Sequence, residues 1–280
     1  MALTKATRAT IVHPTDLSAP GPLAFAHAIA MTLASRAQLC LLRVRDDEEA
    51  FFSPTQGLRQ ARDLLVRWRR LGPEASYDRW KDELDLRVSS MSIVARNART
   101  GILEFLDGRS CDLVVLATHD HKAPTPWRDA SAPLGVLQKA RMMSLFVREG
   151  GRGFVDLDSG ALRLKRVLMP IDGALNSLPA IRRVDRMLKL VSSGAEIQLF
   201  HVGERAPVVA DEHGRPVRGQ ILVRQGRVIE AILKAAGELK VDAIAMPTAG
   251  RHGLLDAVRG STTARILDDG RWPLLAVPVG

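Results

Sequence analysis

Short apolar runs alternate with stretches of helical periodicity along this chain. Thr10–Asp16 (Thr-Ile-Val-His-Pro-Thr-Asp) is a buried-type run ending in a polar turn and predicts a strand. Ser18 and Pro20 are helix-start signals, after which Phe25, Ala28, Ile29, Thr32 and Leu33 mark one helical face. Ala37–Arg45 predicts a second strand, Leu58–Leu71 a helix and Leu84–Ala95 a third strand. Thr100–Leu106 reads as a helix, Asp112–Thr118 as a fourth strand, Ser131–Ala140 as a helix and Ser144–Val147 as a fifth strand. Strands alternating with helices imply βαβ units, hence a parallel sheet with helices on both faces.

The pattern then restarts. Gly150–Gly160 is glycine-rich and reads as a linker. Arg166–Asp172 (Arg-Val-Leu-Met-Pro-Ile-Asp) matches Thr10–Asp16 at an offset of 156, pairing Pro14 with Pro170 and Asp16 with Asp172. Ile181, Val184, Met187, Leu188 and Val191 mark a helix, and Glu196–Val202 matches the second strand. Val228–Leu239 reads as a helix, Asp242–Thr248 matches Asp112–Thr118, and Leu274–Pro278 matches Ser144–Val147. The polar stretch from Gly203 to Gly219 reads as a solvated turn. The chain is thus expected to be an α/β protein of two tandem doubly wound domains. Their bounds are 1–150 and 164–280, with 151–163 as linker.

Composition narrows the function. Apolar residues make up 46% of 280, and aromatics only 4%, so the core must be built from Leu, Val, Ile and Ala. Cys40 and Cys111 both sit in strand-like runs and read as reduced core thiols of a cytoplasmic protein. No run is long enough to span a bilayer, and the first residues lead straight into a strand pattern with no signal peptide. The net charge of +9 invites a nucleic-acid reading. Its distribution argues against one: the excess is +4 over residues 1–150 and +5 over 165–280, with no basic arm.

Two places carry candidate chemistry. From Pro247-Thr248-Ala249-Gly250 to Gly260-Ser261-Thr262, a strand gives way to a loop in which nine residues separate Gly250 from Gly260, then to a helix start. Glycine lets backbone N–H groups approach an anion, and a helix N-terminus adds unpaired N–H groups. Such a loop could cradle a phosphate, or be a turn glycine followed by an ordinary Ser cap. In the first half His13, Asp16, His119, Asp120 and His121 are metal-ligand types that could converge on zinc, but His13 could equally fill a gap in the core, and no metal is expected. No nucleophile–base pair stands at a readable spacing, and neither Gly-x-Gly-x-x-Gly nor a P-loop occurs. An enzyme is not expected.

The opening Val-Leu-Met-Pro-Ile-Asp, the strand Leu-Phe-His-Val, the strand Asp-Ala-Ile-Ala-Met, the Gly-nine-Gly-Ser loop and the closing Pro-Leu-Leu-Ala-Val-Pro together resemble the universal stress protein family, twice over. The resemblance implies an open five-stranded parallel sheet per domain and a stress-response sensor or regulator that binds ATP, with Mg, or a related nucleotide. Gly250, Gly260, Ser261 and Thr262 would face the phosphates and ribose. Pro170, Ile171, Asp172 and Val202 would border the adenine and ribose. Pro247 departs from the family pattern, which has a glycine there. The first copy departs further: Ala117-Thr118-His119-Asp120, nine residues, then Ala130-Ser131, with a carboxylate where phosphate should lie. Its loop is degenerate and the second is near-intact. The closing strands, Ser144–Val147 and Leu274–Pro278, would lie at sheet edges, and family members commonly dimerise through this strand. An intramolecular pseudo-dimer, and possible homodimerisation of the chain, are therefore expected. A nucleotide-free interaction protein of the same fold and a slow ATP hydrolase remain open beside the sensor reading.

Overall fold

The computed structural model describes residues 8–15, 22–45, 55–118, 133, 135–136, 141–173, 175–210, 220–248, 262–269 and 271–279. The first half runs β1 (Thr10–Pro14), α1 (Pro22–Ser35), β2 (Gln38–Arg45), α2 (Thr55–Arg67), α3 (Tyr77–Leu84), β3 (Arg87–Val94), α4 (Ala98–Asp107), β4 (Leu113–Thr118) and β5 (Met143–Arg148). The second runs β6 (Arg166–Pro170), α5 (Leu178–Val191), β7 (Glu196–Val202), β8 (Ile221–Arg224), α6 (Val228–Glu238), β9 (Ala243–Thr248), α7 (Thr262–Asp269) and β10 (Leu274–Pro278). Strands β1, β4, β6, β9 and β10 are buried along most of their length, as expected of near-continuous apolar runs covered on both faces.

Three elements differ from the sequence expectation. Leu84 ends α3 and is not the first residue of a strand, because Asp85 turns left-handed (φ 49°) and closes the helix. Helix α3 itself was not expected: its stripe is only Tyr77, Trp80 and Leu84 among charged residues, and Trp80 alone is buried. Strand β8 falls where the sequence suggested no strand. The expected helix 131–140 lies almost wholly outside the described residues.

All ten strands form one sheet in the order β3-β2-β1-β4-β5-β10-β9-β6-β7-β8. Within each half every pair is parallel. The halves meet where β5 and β10 pair antiparallel, Phe146 opposite Leu274, Leu145 opposite Leu275 and Ser144 opposite Ala276. Both strands would otherwise be apolar edges, open to association with other chains. Here Leu145, Phe146, Leu274 and Leu275 are all buried. Burying a side chain of this size is worth about 1.5–3 kcal/mol. One core cluster runs along each face of the joined sheet. Ile11, Leu41 and Val147 share one with Val167, Met169 and Val277, and Val12, Leu116 and Phe146 share the other with Leu168, Phe200 and Leu274.

The glycine-rich connection between the halves is packed. Val155 and Leu162 form an antiparallel bridge, and Phe154, Val155 and Leu164 are buried. Asp156 accepts hydrogen bonds from the backbone of Asp158 and Ser159 and pairs with Arg163. Gly160 is left-handed (φ +69°), and a Cβ there would lie 2.4 Å from the Trp68 ring. Trp68 Nε1 donates to Leu157 O at 2.9 Å, fixing the connection to the end of α2. His27 holds it to α1. Its Nδ1 donates to Leu23 O at 2.6 Å, and its Nε2 accepts from Phe154 N at 3.0 Å. With the connection outside and the sheet inside, Leu23, Ala24 and Ala26–Thr32 of α1 are all buried.

His27 is wholly buried, and desolvation pulls its pKa from 6.5 down to about 4, although the Leu23 carbonyl works the other way. A protonated Nε2 would also face the Phe154 N–H donor to donor. Above pH 6.5 the imidazole is neutral folded or unfolded and stability is full. As pH falls from 6.5 to about 4 the unfolded chain takes up the proton first, and stability falls by about 3 kcal/mol. Urea unfolding of wild type and His27→Gln through this window tests it. The stability difference between them should change by about that amount, and a difference independent of pH would contradict the assignment.

Candidate functional site

Strand order reverses at β6 and β9, which are neighbours in space but not in sequence. In an open α/β sheet, ligands bind beyond the carboxyl ends of the strands at such a point. Pairing of β6 with β9 is found at Val167–Ala243 and Leu168–Ile244 and not beyond. Pairing of β9 with β10 continues to Thr248–Pro278, and that of β6 with β7 to Pro170–Phe200. The carboxyl ends of β6 and β9 are thus each held on their outer side and unpaired between, which leaves a crevice. The first half repeats this, with β1 and β4 paired at Ile11–Leu113 and Val12–Val114. Because β5 and β10 are antiparallel, the two crevices open at opposite edges of the sheet.

Of the expected site residues, Pro170, Ile171, Asp172 and Val202 come together at the carboxyl ends of β6 and β7. Ile171 N donates to Phe200 O at 2.8 Å, which extends the β6–β7 ladder by one residue. Asp172 is exposed, and its Oδ1 accepts from Leu175 N at 2.9 Å, fixing the turn into α5. Val202 sits opposite Arg224 of β8. Pro247 belongs to β9, opposite Val277, so the strand runs through it to Thr248. Thr262 is the first residue of α7 and is half-buried. Gly250, Gly260 and Ser261 lie outside the described residues, as do Asp16, His119, Asp120, His121, Ala130 and Ser131.

One residue at this crevice was read from the sequence only as part of a strand. His201 Nδ1 lies 2.9 Å from Ile171 O, and a carbonyl can only accept, so Nδ1 carries the proton. In the neutral ring Nε2 is then the acceptor. It faces Gly203, where a Cβ would come within 2.4 Å of it, and only glycine clears the ring. The sequence signal was the polar residue in the run Leu-Phe-His-Val, but its partner Ile171 is thirty residues away, just past the end of β6.

The first half's metal-ligand types are represented among the described residues by His13. It is buried at 3% exposure, and its Nδ1 donates to Val115 O at 2.9 Å across the β1–β4 ladder. Its ring lies against Phe25, 5.7 Å between centroids. Among the described residues no group of three ligand types could hold a metal ion.

Both cysteines are reduced. Burial pushes the Cys111 thiol up to about 12, against the opposing effect of a backbone hydrogen bond at Leu113, and raises Cys40 for the same reason. In native protein at pH 8, neither thiol should react with Ellman's reagent on the minute scale, and both should react at once in guanidinium. Rapid reaction of either in the folded state would contradict their burial.

The model of the universal stress protein family matches residues 7–148 and 204–278. The chain belongs to that family. The stretch 149–203 between the matched segments holds β6, α5 and β7, which complete the second half of the sheet. A universal stress protein from Archaeoglobus fulgidus is similar over 97% of this chain and 98% of its own, at 12% identity and a TM-score of 0.60. A protein of unknown function from Pseudomonas aeruginosa is similar over 98% of this chain and 93% of its own, at 15% identity and a TM-score of 0.61. These likenesses are of fold. No curated protein matches the chain in sequence. Among the described residues no helix is long and apolar enough to cross a membrane.

Proposed function

We propose that this universal stress protein is a stress-response regulator or sensor that binds ATP or a related nucleotide at one site per chain, in the crevice of its second half. The supporting observation is the unpaired carboxyl ends of β6 and β9, bordered by Asp172 and Val202. This is the half whose sequence keeps Gly250, Gly260 and Ser261. A carboxylate suits vicinal ribose hydroxyls, because it accepts two hydrogen bonds at once. The glycine-bearing loop and the start of α7 would supply N–H groups to phosphates, with Mg²⁺ accompanying them. In the first half Asp120 and Ala130 replace the two glycines, so a ligand there would meet a like charge and an added Cβ.

Pro247 favours a second reading, a ligand-free interaction protein of the same fold, because proline removes one N–H from the rim of the crevice. Turnover of bound ATP to ADP over hours would mark the third, a slow hydrolase.

ATP titration by calorimetry on wild type and Gly250→Asp separates the first two readings. The expected result is one site per chain. An uncompensated like charge at about 4 Å costs roughly 1–4 kcal/mol, so the variant should bind about ten- to a thousandfold more weakly. Two equivalent sites, or unchanged affinity in Gly250→Asp, would place the ligand elsewhere. No heat of binding in wild type would favour the ligand-free protein.

A further inference from the structure

We infer that the outer surface of α2 and α5 is a binding face for the phosphate backbone of duplex nucleic acid. The inference stands apart from the nucleotide reading of the second crevice. Along the chain the positive excess is even, but the fold sorts it between the two faces of the sheet. The side chains that α2 and α5 bury lie in one core cluster, and those that α4, α6 and α7 bury lie in the other. Helix α2 with the turn after it carries five arginines against one acid, Asp63, and α5 carries four cations against one acid, Asp185. On the opposite face α4, α6 and α7 each carry one cation against two acids.

The two basic helices belong to one surface. Along the sheet α2 lies against β3, α1 against β1, β4 and β5, and α5 against β10, so the three follow one another across one face. Five strand spacings separate β3 from β10, which sets the two groups of cations about 20–25 Å apart. A duplex carries a phosphate charge about every 1.7 Å of its axis, so one lying across this face would meet both groups. The connection that covers α1 between them is balanced in charge, and α3, which has more acids than cations, is held at the β3 edge through Tyr77 and Val88. Among the described residues Arg59, Arg67, Arg70, Arg182 and Arg186 are half-buried or exposed and pair with no carboxylate, whereas Lys189 is held by Asp185.

The chemistry of the face selects the partner. The unpaired cations are arginines, whose planar fork matches phosphate oxygens. A lipid surface would require an apolar stripe beside the charge. Here the stripes turn inward: Leu64 and Leu65 of α2 and Val184 and Leu188 of α5 are buried, and Leu190 is the one large apolar side chain exposed on either helix. Single strands are held by stacking on open aromatic rings, and Trp68 and Trp80 on this face are buried. Both helices lie flat on the sheet, so contacts go to backbone phosphates and carry no sequence preference.

Fluorescence anisotropy of a labelled mixed-sequence DNA duplex, titrated with the full chain at several salt concentrations, tests this. Wild type should bind, its affinity falling as about the third to fifth power of salt concentration. Arg59→Gln with Arg67→Gln and Arg70→Gln should weaken binding about ten- to a hundredfold at low salt and lower that power by about 2–3. Arg182→Gln with Arg186→Gln should weaken it in the same direction and lower the power by about 2. Arg227→Gln with Lys234→Gln and Arg265→Gln removes as much charge from the opposite face as the α2 variant does from this one, and should leave affinity within about threefold of wild type. No binding by wild type, unchanged affinity in either the α2 or the α5 variant, or equal weakening by the opposite-face variant overturns the inference. Binding to vesicles of phosphatidylserine and phosphatidylcholine with none to DNA overturns it in favour of a lipid surface.

Discussion

The antiparallel pairing of β5 with β10 is the contact on which the rest of the molecule depends. Each half ends in an apolar strand, and neither strand can be left open to water. Joining them hides both and continues both core layers from one half into the other. The join also sets the directions. It turns the second half over end to end relative to the first, which places the crevices at opposite edges and brings α1 beside α5 on one face. A parallel join would have put both crevices on one edge.

The two halves share a plan and differ in what was added to it. The first carries α2 and α3 between β2 and β3, and their Leu64, Leu65, Trp68 and Trp80 are buried in the core. Among the described residues the second has no helix between β7 and β8, and Ile197 and Ile221 are only partly buried there. The connection between halves lies over α1, where His27 and Trp68 receive it. Such differences fit the proposed division of labour, in which one half is weighted towards packing and the other binds the ligand. Fold alone does not settle function, and that division rests on the residues at the crevices.

Much of this was legible in the sequence, for identifiable reasons. Strands buried on both faces are continuous apolar runs, and the duplication let each half check the other, so β7 ended at Val202 as expected, whereas β6 stopped at Pro170, two residues short of Asp172, which turns into α5. Helix α3 was not legible, because Tyr-Asp-Arg-Trp-Lys-Asp-Glu-Leu buries a single side chain. Strand β8 was missed because four residues after a polar loop carry little periodicity. The packed connection could not be seen in its glycines and serines, which look the same in a free linker. Its order comes from Trp68 and His27, some ninety or more residues earlier. The tautomer of His201 was out of reach for the same reason, since it depends on a carbonyl of a neighbouring strand.

If the shared sheet makes one cooperative body of the two halves, they cannot melt apart. Scanning calorimetry of the full chain is the most direct measurement of this. The expected trace is one transition whose calorimetric enthalpy equals its van't Hoff enthalpy. Two resolved transitions, or a calorimetric enthalpy near twice the van't Hoff value, would show that β5 and β10 do not bind the halves into a single folding unit.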